Sequence, residues 1–458
     1  MSVVELLRDR RYRHLFSAQV IALVGTGLTT VGLALLAADL AGERAGEVLG
    51  TALAIKMIAY VGIAPVIGAH AARLPRRALL VGLDLLRAAS VVSLPFVTAI
   101  WQIYLLIFLL NACSACFTPT FQATLPDILE DERRYTRALS LSRLAYDLEN
   151  LLSPVAAALL LTVMNFDVLF VLNALAFLGS ALLVASIRLP SPRAAEHDAG
   201  FRERLTLGSR IYLRTPRLRG LLALNLAVAA AGAMQIVNTV VYVRSQLGLG
   251  DTQVAIAFAA AGGGSMVVAL ALPALLDRLA QRTIMLTGGW LMSIGLFAGW
   301  LSPSFAALLP LWFLLGAGAS LVMTPTGRLL KQSCHAEDRP ALFAAQFSLS
   351  HAGWLIAYPL AGWVGAQAGM DAAFGILGAM ALFATLAAVR LWPSADPTEL
   401  EHWHPAITHA HRHEHDDHHR HGHDGGEGQA PHAHSHHHAA GRHRHVFVID
   451  RHHPHWPR

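Results

Sequence analysis

The chain has 458 residues, of which 54% are apolar and only 14% charged, against about 25% charged in an ordinary soluble domain. So few charges cannot clothe a water-soluble core of this length, and the solvent that suits such a chain is the bilayer. A formal charge of +5 would point to nucleic acid in a soluble protein, but here the basic residues lie in short loops between apolar runs, where they set topology and exclude that partner.

Arg8, Arg10, Arg11 and Arg13 come first. The apolar stretch after them, about 25 residues, is too long for the h-region of a cleavable signal, and no A-x-A site follows. Long apolar runs then predict twelve spanning helices, at 14–38, 46–70, 76–98, 101–124, 138–162, 166–187, 219–243, 252–276, 283–301, 304–327, 341–367 and 371–391. Only a helix satisfies every backbone polar group within one apolar segment, so the expected fold is an all-α membrane bundle.

The loops orient it. Arg73, Arg76 and Arg77 follow the second run, and Arg133, Arg134 and Arg137 the fourth. Seven arginines, from Arg188 to Arg217, occupy the long connection after the sixth; Arg278 and Arg282 follow the eighth, and Arg328, Lys331 and Arg339 the tenth. The alternate loops are nearly bare. All basic loops thus fall on one side, which the positive-inside rule makes cytoplasmic, with both termini, in a bacterial inner membrane.

A weak repeat runs through the chain. Arg73-Leu74 returns as Arg278-Leu279, Arg77 as Arg282, Thr118-Pro119-Thr120 as Thr324-Pro325-Thr326, Asp131 as Glu337 and Pro154 as Pro359. One register of six helices means two parallel halves, with a site expected near mid-depth between them. The expected organisation is a first half at 1–187, a cytoplasmic linker at 188–218, a second half at 219–391 and a tail at 392–458.

On these residues the chain resembles the major facilitator superfamily. Gly68-Ala-His-Ala-Ala-Arg-Leu-Pro-Arg-Arg77 is similar to that family's loop signature of a glycine, Asp-Arg, a glycine and two basic residues, with Ala72 in place of the aspartate and Pro75 in place of the second glycine. The second half keeps Asp277-Arg278. The resemblance makes Gly68, Arg73, Arg76, Arg77, Asp277 and Arg278 gating residues. Phe117-Thr-Pro-Thr-Phe-Gln-Ala-Thr-Leu-Pro-Asp127, with Ala138-Leu-Ser-Leu-Ser-Arg143 and Ser153-Pro154, resembles the drug- and siderophore-efflux branch, and within it bacterial nickel-resistance permeases with a histidine-rich tail.

Polar residues inside the apolar runs are the next candidates, because an unpaired ionisable group in lipid is costly. Arg143, Asp147 and Asn150 share a helix face, and Glu149 points elsewhere. Lys56, near the middle of its run, calls for a carboxylate partner, Asp147 or Glu149; the pair reads either as a proton-coupling element or as a fixed inter-helix lock. Gln346, Ser350 and His351 lie on one run and Asn238 on another. His351 suits an interior hydrogen bond or a metal. Cys113 and Cys116 suit a soft ion or simple packing. Asp84 and Arg87 read as a structural pair, and Gly25, Gly27, Gly32 and Gly262 to Gly264 as close-packing positions.

From 392 the composition turns polar, and 20 of the 25 histidines lie between His402 and His455. His409, His411, His413, His415, His418, His419, His421 and His423 form one cluster, and His432, His434, His436, His437 and His438 a second. Neutral imidazole suits Ni, Cu, Zn and Co, so the tail is expected to be a disordered metal-binding segment. The expected function is secondary export of a divalent transition metal, Ni2+ before Co2+, by proton antiport, with lipid, protons and divalent ions as partners, no cofactor needed for folding and a monomeric state. The rival is proton-coupled efflux of an organic drug or siderophore with a metal-responsive tail. No phosphate-binding loop occurs, and an enzyme is not expected.

Overall fold

The computed structural model describes residues 3–41, 45–71, 74–190, 201–396, 399–404, 407–413, 432–438, 441–449, 453, 455 and 456. The first half consists of α1 (Val3–Arg8), α2 (Arg10–Ala41), α3 (Ala45–Ala71), α4 (Arg76–Val92), α5 (Ile100–Ile128), α6 (Glu132–Leu161) and α7 (Asp167–Ala185). The connection carries α8 (Phe201–Arg214). The second half consists of α9 (Pro216–Val241), α10 (Asp251–Leu276), α11 (Gln281–Gly299), α12 (Phe305–Met323), α13 (Thr326–Lys331), α14 (Arg339–Ala368) and α15 (Met370–Leu391).

Each of the twelve expected runs has its helix. Among the described residues, ten helices are long and apolar enough to cross a membrane. The other two runs are α11 and α14, of 19 and 30 residues, which are diluted by Gln281 and Arg282 and by Gln346, Ser348, Ser350 and His351.

The termini follow local chemistry. Asp131 caps α6, its carboxylate accepting the Arg134 N–H at 2.8 Å, which satisfies one of the free amides of the first turn. Pro216 opens α9, where a missing N–H costs nothing. The repeat diverges in one respect. Pro119 sits inside the continuous α5, whereas its counterpart Pro325 separates α12 from α13.

Glycine sets the tightest helix crossing. A Cβ on Gly316 would stand 1.9 Å from the Ala261 carbonyl oxygen, and one on Gly264 2.0 Å from that of Phe313. Backbone therefore packs on backbone between α10 and α12. Of the glycines at 262 to 264, only Gly264 is at the contact; Gly262 and Gly263 face open space.

The connection is more than a linker. Ile211 and Tyr212 of α8 are fully buried, and the Tyr212 hydroxyl donates to Gln346 of α14. Helix α8 thus belongs to the packing of the second half.

After α15 the described parts of the tail form two antiparallel ladders. β1 (Glu399–His404) pairs with β4 (Gly441–Val446), and β2 (Ile407–His413) with β3 (His432–His438). The sequence reading anticipated no strands here. The alternation of histidine with other residues is nevertheless the strand period of two. Phe447, Val448 and Ile449 are buried, and Phe447 and Ile449 join the core of the second half, an anchor that the polar composition of the whole tail hides. His415, His418, His419, His421, His423 and Arg73 lie outside the described residues.

Candidate functional site

Near mid-depth α3 of the first half lies against α14 of the second, and α6 of the first against α10 of the second; the ionisable residues Lys56, Glu149 and His351 are on these seam helices. Lys56 lies 15 residues from the basic end of α3, Glu149 17 from that of α6 and His351 12 from that of α14, or roughly 18 to 26 Å along the helices. The Lys56 ammonium stands 5.6 Å from the centre of the Tyr60 ring, one turn along the same helix. Tyr60 in turn meets His351 edge-on at 4.8 Å and Phe347 at 5.0 Å. The His351 Nδ1 is 2.6 Å from the Phe347 carbonyl oxygen.

Of the two expected partners for Lys56, Glu149 is the one in its field; the Glu149 carboxylate also accepts from the Ser153 hydroxyl, one turn on. Asp147 turns away and binds Arg143 at 2.9 Å. Arg143 reaches across the seam to the Ser265 hydroxyl at 2.9 Å and the Met323 sulfur at 3.3 Å. The structural reading of Arg143 and Asp147 thus acquires an inter-half role.

Helix α2 closes the back of the site. A Cβ on Gly27 would stand 2.2 Å from the Ser153 hydroxyl oxygen and 2.5 Å from a Glu149 carboxylate oxygen. Gly27 is therefore what lets α2 lie against the carboxylate. Beside it, Gln19 accepts from the Ser142 hydroxyl at 3.0 Å and shares a hydrogen bond with the Tyr146 hydroxyl.

Three expected pathway residues stand apart from this cluster. Gln346 is buried and accepts from Tyr212 and from Asn225, which makes it a brace between α8, α9 and α14. Asn238 is buried inside the second half, donating to the Ala361 carbonyl at 3.2 Å. Asn150 is exposed. Sequence reasoning missed Tyr60, Tyr146, Gln19 and Ser153. Tyr60 and Ser153 were within reach, four residues after Lys56 and Glu149 on the same helical faces. Cys116 is buried beside Cys113, and no group of three or more His, Cys, Asp or Glu able to hold an ion forms among the described residues.

At the basic end the halves are bolted together. Asp127, closing α5, accepts from Arg76 of α4 at 2.5 Å and also from Arg339 of α14. One half-buried carboxylate thus ties the first half to the second, and it comes from α5 rather than from position 72. Around it, Lys331 donates to the Glu130 carbonyl at 2.9 Å, Glu132 pairs with Arg328 at 2.7 Å, and Ser348 donates to the Val61 carbonyl at 2.6 Å. Of the expected gating residues, Arg76 is in this latch and Asp277 approaches Arg133 at 3.9 Å. Arg77 and Arg278 are exposed, and Gly68 lies near the end of α3.

The architecture has solved counterparts. The chain superposes on the human organic anion transporter MFSD10 (TETRAN) with a TM-score of 0.72 at 14% identity, over 83% of this chain and 99% of that one. A bacterial homologue of the iron transporter ferroportin, in an outward-facing state, gives a TM-score of 0.69 at 13% identity, over 83% and 99%. These likenesses establish the fold. Among curated proteins the chain is similar to macrolide efflux protein A of Streptococcus pyogenes, 22% identical over 219 residues, which are 46% of this chain and 53% of that protein. It is also similar to the Enterococcus faecalis protein of that name, 24% identical over 186 residues, 38% and 57% of the two lengths. The chain thus spans about half the length of the curated relatives it matches. The sequence profile of the Major Facilitator Superfamily matches residues 15–283 and 221–404, and with two six-helix halves meeting at a charged seam the chain belongs to that superfamily of membrane transporters.

Proposed function

We propose that the chain is a proton-coupled exporter of an amphipathic organic solute, with its basic end in the cytoplasm and Glu149 as the group that exchanges proton for solute. The observation that carries this reading is the placement of Glu149 at mid-depth in the field of Lys56, whose neighbour Tyr60 packs on His351 across the seam. Aromatic faces and a carboxylate suit an apolar body with a polar or cationic group. The similarity to macrolide efflux proteins supports an organic solute over a bare ion.

In this mechanism the solute enters from the basic end when the Asp127 latch is open, and settles against Tyr60 with Glu149 ionised. Rocking closes the latch. A proton arriving from the opposite end neutralises Glu149, weakens its hold and releases the solute.

Uptake of a radiolabelled macrolide into everted membrane vesicles with an acidic lumen tests it. The wild-type chain accumulates the label, and Glu149→Gln lowers gradient-driven uptake at least tenfold at unchanged protein level. Wild-type rates in Glu149→Gln would remove Glu149 from the mechanism.

A second reading, export of Ni2+ or Co2+ with the histidine segment as cytoplasmic metal ligand, rests on the 20 histidines between His402 and His455. It also keeps the resemblance to nickel-resistance permeases. The same vesicles supplied with radioactive Ni2+ in the medium separate it from the first: gradient-driven ion uptake with no macrolide uptake would replace the organic solute by the metal.

A further inference from the structure

Between α9 and α14 of the second half lies a groove of about 420 Å3. Arg219, Leu222, Ala223 and Leu226 line it from α9, and Leu349, Ala352, Gly353 and Ile356 from α14. Both sets follow the i, i+3, i+4, i+7 spacing of one helix face, so two stripes run along the gap. Ala223, Ala352 and Gly353 are too short to fill it. At Gly353 the helices come together again: a Cβ there would stand 3.4 Å from the Ala229 Cβ and 3.7 Å from a Leu226 methyl. Leu213, near the end of α8, and Leu391, closing α15, flank the groove at the basic end.

The groove opens toward lipid. Leu213 and Ile356 are exposed, and so is Trp363, seven residues beyond Ile356 on the same face of α14. The seam lies elsewhere: Phe347 and His351, which meet Tyr60 of α3, fall on the opposite side of α14 at about 100° per residue. A bilayer therefore covers the groove with acyl chains, and its charged group decides which headgroup sits above them.

That group is Arg219, the single charged residue of the lining. It is the fourth residue of α9, at the basic end, and it is exposed. Among the described residues it has no acidic partner: Asp396 is taken by Arg217 at 3.6 Å. The only other polar side chain of the lining, Ser350, donates to the Phe347 carbonyl at 3.1 Å. A guanidinium binds phosphate oxygens two at a time, and basic sites between membrane helices hold anionic headgroups. No carboxylate lines the groove to receive the ammonium of a zwitterionic lipid. A solute with a cationic group, as in the proposed mechanism, carries the wrong charge for Arg219.

We propose that the groove between α9 and α14 binds an anionic phospholipid from the leaflet on the basic side, its phosphate on Arg219 and an acyl chain along Leu222, Leu226, Leu349 and Ile356. The site belongs to the second half and stands whichever solute the bundle carries.

Full-length protein in phosphatidylcholine vesicles with a trace of phosphatidylglycerol, photoreactive in its acyl chain, is irradiated and the labelled peptides are identified. Label is expected at 222–226 and 349–356. Unlabelled phosphatidylglycerol should displace it roughly five times more effectively than phosphatidylethanolamine, the factor for one basic charge at an anionic surface. Arg219→Ala, at an exposed position, should erase that preference, and Arg219→Lys should keep most of it. Ala352→Phe fills the groove and should remove the label from α14. Label spread evenly round the bundle, equal displacement by the two lipids in the wild type, or an undiminished preference in Arg219→Ala would overturn the proposal. Displacement by a macrolide but not by phosphatidylglycerol would overturn it too, and give the groove to the transported solute. The uptake assay of Glu149→Gln stands apart from all of these outcomes.

Discussion

The two halves share a helix order but are held together by different physics. The first half is wired with buried charge. Asp84 and Arg87 pair inside it, Ser180 donates to Asp84 at 2.7 Å, and the Arg87 guanidinium lies between the rings of Phe117 and Phe177 at 4.0 and 4.5 Å. Away from its basic end, where Arg217 is buried, the interior of the second half is neutral. Trp312 donates to Thr239 at 2.8 Å, Gln235 to the Trp312 carbonyl at 3.1 Å and Asn238 to the Ala361 carbonyl, and glycines let its backbones touch. Charge at mid-depth on the seam follows the same division: Lys56, Arg143, Asp147 and Glu149 all belong to the first half, and the second offers Ser265 and His351 there. The comparison separates a half that carries the ionisable chemistry from one that supplies a close-packed wall for it to move against.

The sharpest way to break this contrast is to remove one charge from the first half. Asp84→Ala leaves Arg87 buried without its carboxylate, and loss of one member of a buried pair costs about 3–5 kcal/mol. Thermal unfolding in detergent should show a large drop, and Asp84→Asn a smaller one, because the amide still hydrogen-bonds. The second half should be indifferent to a comparable polar change but not to volume. Gly316→Ala places a methyl carbon against the Ala261 backbone, where no side chain can rotate away, and overpacking of this kind costs about 1–3 kcal/mol. Gly262→Ala, whose Cβ meets open space, is the control and should unfold with the wild type.

The sequence made the twelve helices legible because length and apolarity are properties of single segments, and the alternation of Arg-rich and bare loops checks their number. The site was legible in part. Lys56 and Glu149 stand out because charge is expensive in lipid, but choosing Glu149 over Asp147 needed the rotation of α6, which a periodicity of 3.6 gives only when the facing helix is known. Gln346 and Asn238 looked equally polar in the sequence; what sets them apart from the Lys56 cluster is their bonding to Tyr212 on α8 and to the Ala361 carbonyl, both distant along the chain. Asp127 was hidden for the same reason. Its two arginines are 51 and 212 residues away, and the loop signature at 68 to 77 directs attention to position 72 instead.

The seam itself offers the finest division, between two ion pairs that look alike in sequence. The carboxylate of Asp127 is 18% exposed and held by two arginines that are 3% and 15% exposed, so its attraction is little screened. Arg133 and Asp277 are 80% and 59% exposed and 3.9 Å apart, and a surface pair of this kind contributes about 0–1 kcal/mol. Asp127→Asn should therefore loosen the basic end, which a thiol reagent reads out as faster labelling of a cysteine placed at Ser348, behind the latch, in a background lacking the three native cysteines. Arg133→Ala should leave the labelling rate within about a factor of two. Equal acceleration by both would mean that the halves are held by the summed charge of the loops rather than by one half-buried carboxylate, and raising the salt concentration would then mimic both substitutions, since exposed charges are screened within a Debye length of about 8 Å in physiological salt.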